Sequence, residues 1–167
     1  PNNIEAQAAR RYWPALMGPD FRRDQKADGA NALLNYGYTV MRSMVARAII
    51  SSGLHPTVGL HHHNQYNSFA LADDMVEPFR PLVDGLVCHL ISENITQVTP
   101  AAKQRLARLI AYDVNLGGTT SPISVAAQKL CQSLARSMEN RKASLALFAP
   151  PSPLEWAGLS ASTDLVS

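Results

Sequence analysis

The chain has 167 residues, 46 % of them hydrophobic and 17 % charged, with a formal net charge of +2. That balance excludes a disordered or collagen-like chain, and the length suffices for one buried core without disulfides or a structural metal. Two cysteines make no disulfide framework, no apolar run approaches the ~18 residues of a membrane span, and Pro1-Asn2-Asn3-Ile4-Glu5 reads as neither a signal nor a transit peptide, so a reduced, cytoplasmic setting away from membranes is expected.

The chain reads as helices. The segment from Ile4 to Trp13 has a helical pattern with a stop at Pro14. From Asn31 to Ser52, Leu34, Tyr38, Met41, Val45 and Ile49 recur at helical spacing, and Gly53 supplies a C-terminal stop. A polar loop follows from Leu54 to Asn67, marked by His55-Pro56 and Gly59. Ser68 is placed to cap a helix toward His89, bent or broken at Pro78 and Pro81. Thr99-Pro100 opens a helix with Leu106, Leu109, Ile110 and Val114 on one face, ending near Gly117-Gly118. Ser121-Pro122 repeats that signal before Ile123, Ala127, Leu130, Leu134 and Met138. No stretch alternates long enough to predict a strand. The expected architecture is all-α: a single helical domain of five or six helices over residues 1–148, then a Pro-rich, polar C-terminal tail over 149–167.

Charge is unevenly spread. Residues 1–47 hold seven Lys/Arg against four acids, and residues 101–148 hold seven against two. Between them, residues 48–100 hold only Arg80 against Asp73, Asp74, Glu77, Asp84 and Glu93, together with all five histidines. An acidic, His-rich centre between basic flanks suits a metal-dependent site acting on a polyanion. Ordinary solvated charge gives the same pattern.

Three pieces carry candidate chemistry. Glu5 follows Asn2 by three residues, a capping-box outline that by itself accounts for the glutamate. Gly59-Leu60-His61-His62-His63 offers one or two imidazole ligands, since adjacent side chains point apart. In Leu71-Ala72-Asp73-Asp74-Met75-Val76-Glu77-Pro78-Phe79-Arg80-Pro81, a helix puts Asp74 and Glu77 at i,i+3 and Asp73 and Glu77 at i,i+4. Clustered carboxylates repel unless a cation or a proton neutralises them, and Arg80 is the alternative source of that charge. Together these groups form a mostly oxygen donor set able to hold Mg²⁺ or Mn²⁺ for phosphodiester chemistry.

Four motifs in order then carry a resemblance. They are Glu5-Ala6-Gln7-Ala8-Ala9-Arg10-Arg11-Tyr12-Trp13; Asn31-Ala32-Leu33-Leu34-Asn35-Tyr36-Gly37-Tyr38; Gly53-Leu54-His55-Pro56-Thr57-Val58-Gly59 running into the histidines; and the segment Leu71 to Pro81. The sequence resembles the CRISPR-associated spacer-acquisition integrases, the "Cas one" family, and most their type II branch, closely from Ile4 to about Asp84. The resemblance implies an N-terminal β-domain, expected to be absent from this chain, followed by a helical catalytic domain. It implies metal-dependent endonuclease and integrase activity, joining 3′-hydroxyl ends of spacer DNA to the CRISPR repeat by transesterification. It implies double-stranded DNA as substrate, a homodimer in full-length members, and a "Cas two" bridging protein as partner. Carried over by motif, Glu5, His62 and Glu77 are the metal ligands, with His61 as the alternative imidazole and Asp74 as the additional acid. Arg10, Arg11, Arg22, Arg23 and Arg42 are candidates for phosphate contacts, and Tyr12, Trp13, Tyr36 and Tyr38 are expected in the core. A non-catalytic helical scaffold that binds DNA or protein, and a metallohydrolase of small phosphoesters, are the competing readings of the same residues.

Overall fold

The computed structural model describes residues 4–62, 64 and 66–149, and of Glu5 the backbone alone. Six α-helices carry the fold: α1 (Ile4–Met17), α2 (Ala30–Ser51), α3 (Ala70–Val76), α4 (Arg80–Ser92), α5 (Pro100–Arg108) and α6 (Ile123–Glu139). Single 3₁₀ turns at Glu77–Phe79 and Leu109–Ala111 and one hairpin, β1 (Asp113–Leu116) and β2 (Thr119–Pro122), complete it. The all-α expectation holds, with the hairpin as an addition.

Helix α2 is the central rod, packed against α3, α4, α5 and α6. Its sequence explains why: Leu33, Leu34, Met41, Met44, Val45, Ala48 and Ile49 are buried on more than one stripe. Gly37 permits the close approach of α4 and α5, because a Cβ there would overlap Val83 and sit 3.3 Å from Leu106 Cδ2. The predicted stop at Gly53 is met. Gly53 adopts φ +76°, its N–H bonds Ile50 O at 3.1 Å, and Leu54 N–H bonds Ile49 O at 3.1 Å. These are the two bonds of a Schellman cap.

Several boundaries differ from expectation for identifiable reasons. Helix α1 runs through Pro14 to Met17. So near a helix end proline forfeits one ladder bond, and the half turn beyond is closed by Gly18 N–H on Pro14 O. Ser68 does not cap α3; Phe69 occupies that position. Asn67 Oδ1 instead accepts Phe69 N–H at 3.0 Å, and Leu71 N–H reaches Pro56 O at 2.8 Å. The break at Pro78 and Pro81 is as expected: Pro78 lies in the 3₁₀ turn and Pro81 in the first turn of α4. Thr99 Oγ1 caps α5 by accepting Ala102 N–H at 3.2 Å.

The largest correction is at 109–122. The helix from Pro100 stops at Arg108, and Val114 lies in a strand. Val114 and Leu116 are buried while Asp113 and Asn115 are exposed, a period of two. Gly117 (φ +61°) and Gly118 (φ +82°) form the two-residue turn of an antiparallel pair in which Leu116 faces Thr119. Ser121 is a buried strand residue and caps nothing; α6 begins directly after Pro122. Its inner face is Ile123, Ala126, Ala127, Leu130, Cys131 and Leu134, whereas Met138 is exposed.

After α6 the chain stays docked. Ala146 N–H bonds Ser133 Oγ at 2.9 Å, Ala149 N–H bonds Asn115 O at 2.9 Å, and the Phe148 ring lies 5.1 Å from Phe79. The expected tail, apart from Ala149, lies outside the described residues. Both cysteines are free thiols. Among the described residues, no helix is long and apolar enough to cross a membrane.

Candidate active site

The site is built around one carboxylate. Asp74 stands on the second turn of α3 with its side chain only 8 % exposed. The loop before α3 folds back over it. Asp74 Oδ2 accepts the backbone N–H groups of Leu60 at 2.5 Å and His61 at 2.9 Å, and Oδ1 accepts His62 N–H at 3.3 Å. Such a nest of consecutive amides is a fixed positive lining for an anion. Gly59 makes the wrap possible: a Cβ there would overlap the His62 carbonyl and lie 3.1 Å from Asp74 Oδ2. Burial by itself pushes the Asp74 pKa up, but the His61 amide, the His62 ring and the other amides outweigh it, and the net shift is downward.

Asp74 also takes the His62 ring, with Nδ1 2.5 Å from Oδ1. Because an ionised carboxylate only accepts, Nδ1 carries the proton and Nε2 is the free ring nitrogen. Among the described residues Nε2 has no hydrogen-bond partner. The bond to Asp74 raises the His62 pKa against the opposing effect of burial. The ring of His62 is held by Asp74, while His61 gives Asp74 its backbone N–H. His63 lies outside the described residues.

Glu77 sits at the break between α3 and α4 and receives Arg80 NH1 at 2.8 Å, the pairing weighed from the sequence. The Arg80 guanidinium lies 4.5 Å from the centre of the Tyr38 ring. Asp73 faces elsewhere: it binds Arg42 through two bonds of 2.5 and 3.0 Å and accepts from Asn67 Nδ2 at 2.7 Å. The adjacent acids of the motif thus have separate partners.

Beneath Glu77 lies a group that sequence reasoning missed. Asp84, 3 % exposed, accepts the Tyr12 hydroxyl at 2.6 Å and the Tyr38 hydroxyl through a short bond. The expected core position fails for Tyr12, which is exposed, and holds only in part for Tyr36 and Tyr38, which are half-buried; Trp13 is a core residue, buried against Phe21 with ring centroids 5.6 Å apart. The missed signal is a stripe: Glu77, Arg80 and Asp84 stand at i, i+3 and i+7.

Two clefts meet at this wall. One, of about 770 Å³, is lined by Ala8, Ala9 and Tyr12 of α1 and by His62, Asp74, Glu77 and Asp84. The other, of about 560 Å³, is lined by Arg23, Arg42 and Arg80 with His62, Asp73 and Glu77. His62 and Glu77 border both. Position 5 precedes Ala8 and Ala9 by one turn of α1, and the Glu5 side chain lies outside the described residues. Among the described residues no three His, Cys, Asp or Glu side chains group closely enough to hold a metal by themselves.

The sequence-derived arginines fall into different settings. Arg10, Arg11 and Arg22 are exposed. Arg22 NH1 donates to Pro19 O and Phe21 O at 2.8 and 2.9 Å. Arg23 is held by Asn31 Oδ1 at 2.9 Å and Asn35 Oδ1 at 2.6 Å, and Arg42 by Asp73.

The model for the family "CRISPR associated protein Cas1" matches residues 2–107, the stretch that contributes every residue of this wall. The chain belongs to the Cas1 family. It is 42 % identical over 116 residues to the CRISPR-associated endonuclease Cas1 of Neisseria meningitidis, covering 68 % of this chain and 38 % of that protein. It is 31 % identical over 140 residues to a CRISPR-associated endonuclease Cas1 of Pyrobaculum aerophilum, covering 80 % of this chain and 47 % of the relative. The chain thus spans less than half the length of these two Cas1 relatives. Among solved structures, a casposase bound to integration product superposes with a TM-score of 0.73 at 25 % identity, over 98 % of this chain and 55 % of that one. The likeness covers the hairpin and α6, beyond the stretch matched by the Cas1 family model.

Proposed function

We propose that this chain is the helical catalytic part of a Cas1 integrase-endonuclease, acting in the cytoplasm during CRISPR adaptation. The reaction joins the 3′-hydroxyl end of a short DNA duplex to the CRISPR repeat. One P–O ester bond forms as another breaks, and the displaced 3′-oxygen leaves with a proton. The observation that carries this reading is the Asp74–His62 pair beside Glu77 at a cleft walled by α1.

The residues fit a divalent ion. Glu5, His62 and Glu77 would hold Mg²⁺ or Mn²⁺ through two carboxylates and one imidazole, a hard, oxygen-rich set with one nitrogen. Such an ion supplies Lewis acidity toward a phosphate oxygen or the attacking hydroxyl. Asp74 serves as the outer partner that fixes the His62 ring and its tautomer, the usual support of a metal-binding imidazole. Arg80 stands one turn past Glu77 and is available to a phosphate oxygen once Glu77 turns to its ion. The cleft bordered by Arg23, Arg42 and Arg80 accommodates the DNA backbone, with exposed Arg10, Arg11 and Arg22 extending the basic surface. A homodimer and a bridging "Cas two" protein complete the proposed assembly in the whole protein.

The Glu77–Arg80 ion pair fits a non-catalytic scaffold as well. Calorimetric titration with Mn²⁺ and strand transfer into a repeat-bearing supercoiled plasmid decide between them. Wild-type protein is expected to bind Mn²⁺ and to transfer strands, and His62→Ala and Glu77→Ala to lose both. Equal metal binding and equal product from all three would overturn the assignment.

A further inference from the structure

Asp84 is an acid with no obvious reason to be buried. Burying a carboxylate is costly unless its oxygens are satisfied, and a well-packed apolar residue often serves stability as well. Here both oxygens are satisfied, and by two different helices. Tyr12 donates from α1 and Tyr38 from α2, while Asp84 itself belongs to α4. One side chain therefore ties three helices at the floor of the cleft.

The register of that tie relates it to the proposed ligands. Tyr12 lies seven residues after Glu5 on α1, and Asp84 lies seven residues after Glu77 along the turn and α4. Seven residues are two helical turns, which returns to nearly the same face. The intervening lining residues match: Ala8 and Ala9 on one side, Arg80 and Pro81 on the other. Other contacts hold α1 against the rest of the chain, and among them Cys88 Sγ donates to Leu16 O at 3.6 Å. Trp13 packs on Phe21, and Cys88 Sγ lies 3.4 Å from Met17 Sδ. Apolar packing sets how deep a helix sits but tolerates sliding and rotation; a directional hydrogen bond does not.

We propose that Asp84 is a positioning residue, which through Tyr12 and Tyr38 fixes the rotation and register of α1 and thereby sets the helix that carries Glu5 against the wall that carries His62 and Glu77. The proposal rests on the metal reading above. It assigns Asp84 no contact with substrate or metal.

The test uses the full-length protein with Tyr12→Phe and Asp84→Asn. The first removes a single hydroxyl at the cleft edge and keeps the ring. The second keeps the shape of Asp84 but can no longer accept equally from both hydroxyls. Hydrogen exchange followed by mass spectrometry reads α1, and Mn²⁺ electron paramagnetic resonance titration reads the site. Both variants are expected to speed exchange across 4–17 while leaving 30–51 unchanged, and to weaken Mn²⁺ binding about tenfold, the lower end for loss of outer support at a metal site. If Asp84→Asn does not fold, Tyr12→Phe alone decides. Wild-type exchange in α1 together with wild-type Mn²⁺ affinity would overturn the proposal, as would faster exchange in α2 to the same degree. Absence of Mn²⁺ binding in the wild-type protein overturns the metal reading instead, and the tie is then judged on α1 exchange alone.

Discussion

His62 Nδ1 donates to Asp74 Oδ1 at 2.5 Å, and the same carboxylate gathers the backbone amides of Leu60, His61 and His62. One acid thus fixes both the ring and the loop that presents it.

Asp74→Asn retains the shape but turns an NH₂ group toward one set of amide donors. Hydrogen bonds to a charged acceptor are worth about 1.5–3 kcal/mol. The variant is expected to lose stability in that range in urea melts and to bind Mn²⁺ about 10- to 100-fold more weakly by calorimetry. Wild-type affinity in the variant would remove Asp74 from the support of His62.

Gly59→Ala tests the wrap itself. The added methyl meets the His62 carbonyl and Ala70 Cβ, the latter at 3.0 Å, so the loop must move outward. The expected cost is about 1–3 kcal/mol, typical of overpacking. The His61 and His62 amide resonances should shift most in a ¹⁵N correlation spectrum, with those of α6 unchanged.

Asp84 gives a pH signature. Burial raises its pKa above the ordinary aspartate value, with the Tyr12 and Tyr38 hydroxyls and the Arg80 and Arg23 charges opposing. The folded chain therefore holds this proton more tightly than the unfolded chain. Stability from this group is full below the unfolded value near ~4 and is lost as pH rises through the folded one. Asp84→Asn has no such loss. Urea melts from pH 3.5 upward should show wild type declining relative to Asp84→Asn across that window; a constant difference would remove the shift.

The thiols are expected to be inert. Burial pushes both Cys88 and Cys131 to about 11, so neither is a thiolate at neutral pH. Iodoacetamide at pH 7.5 should label them slowly in the folded protein and fully in denaturant, read by intact mass. Rapid labelling of Cys131 in the native protein would contradict its burial.

Helix spacing is legible over a long run of buried residues, as in α2, and the stop at Gly53 and the cap at Thr99 agree with the structure. The Gly117-Gly118 pair was ambiguous because glycine with positive φ both ends helices and turns hairpins, and Val114 fits both periods. In the candidate site, Asp74 and Glu77 are legible because acids cluster within one short stretch, whereas His62 is singled out from its neighbours only by the family resemblance. Asp84 was not, because its partners Tyr12 and Tyr38 are 72 and 46 residues away and only folding joins them.

Proline at 78 and at 81 strips two amide donors from the backbone around Glu77, and the chain spans the gap with a 3₁₀ turn between two α-helices. The break is a change of helix type with the backbone still in the right-handed helical region at Val76, Glu77, Phe79 and Arg80. Glu77 therefore belongs to neither flanking rod, and the direction of its carboxylate follows from the angle at which α3 hands the chain to α4.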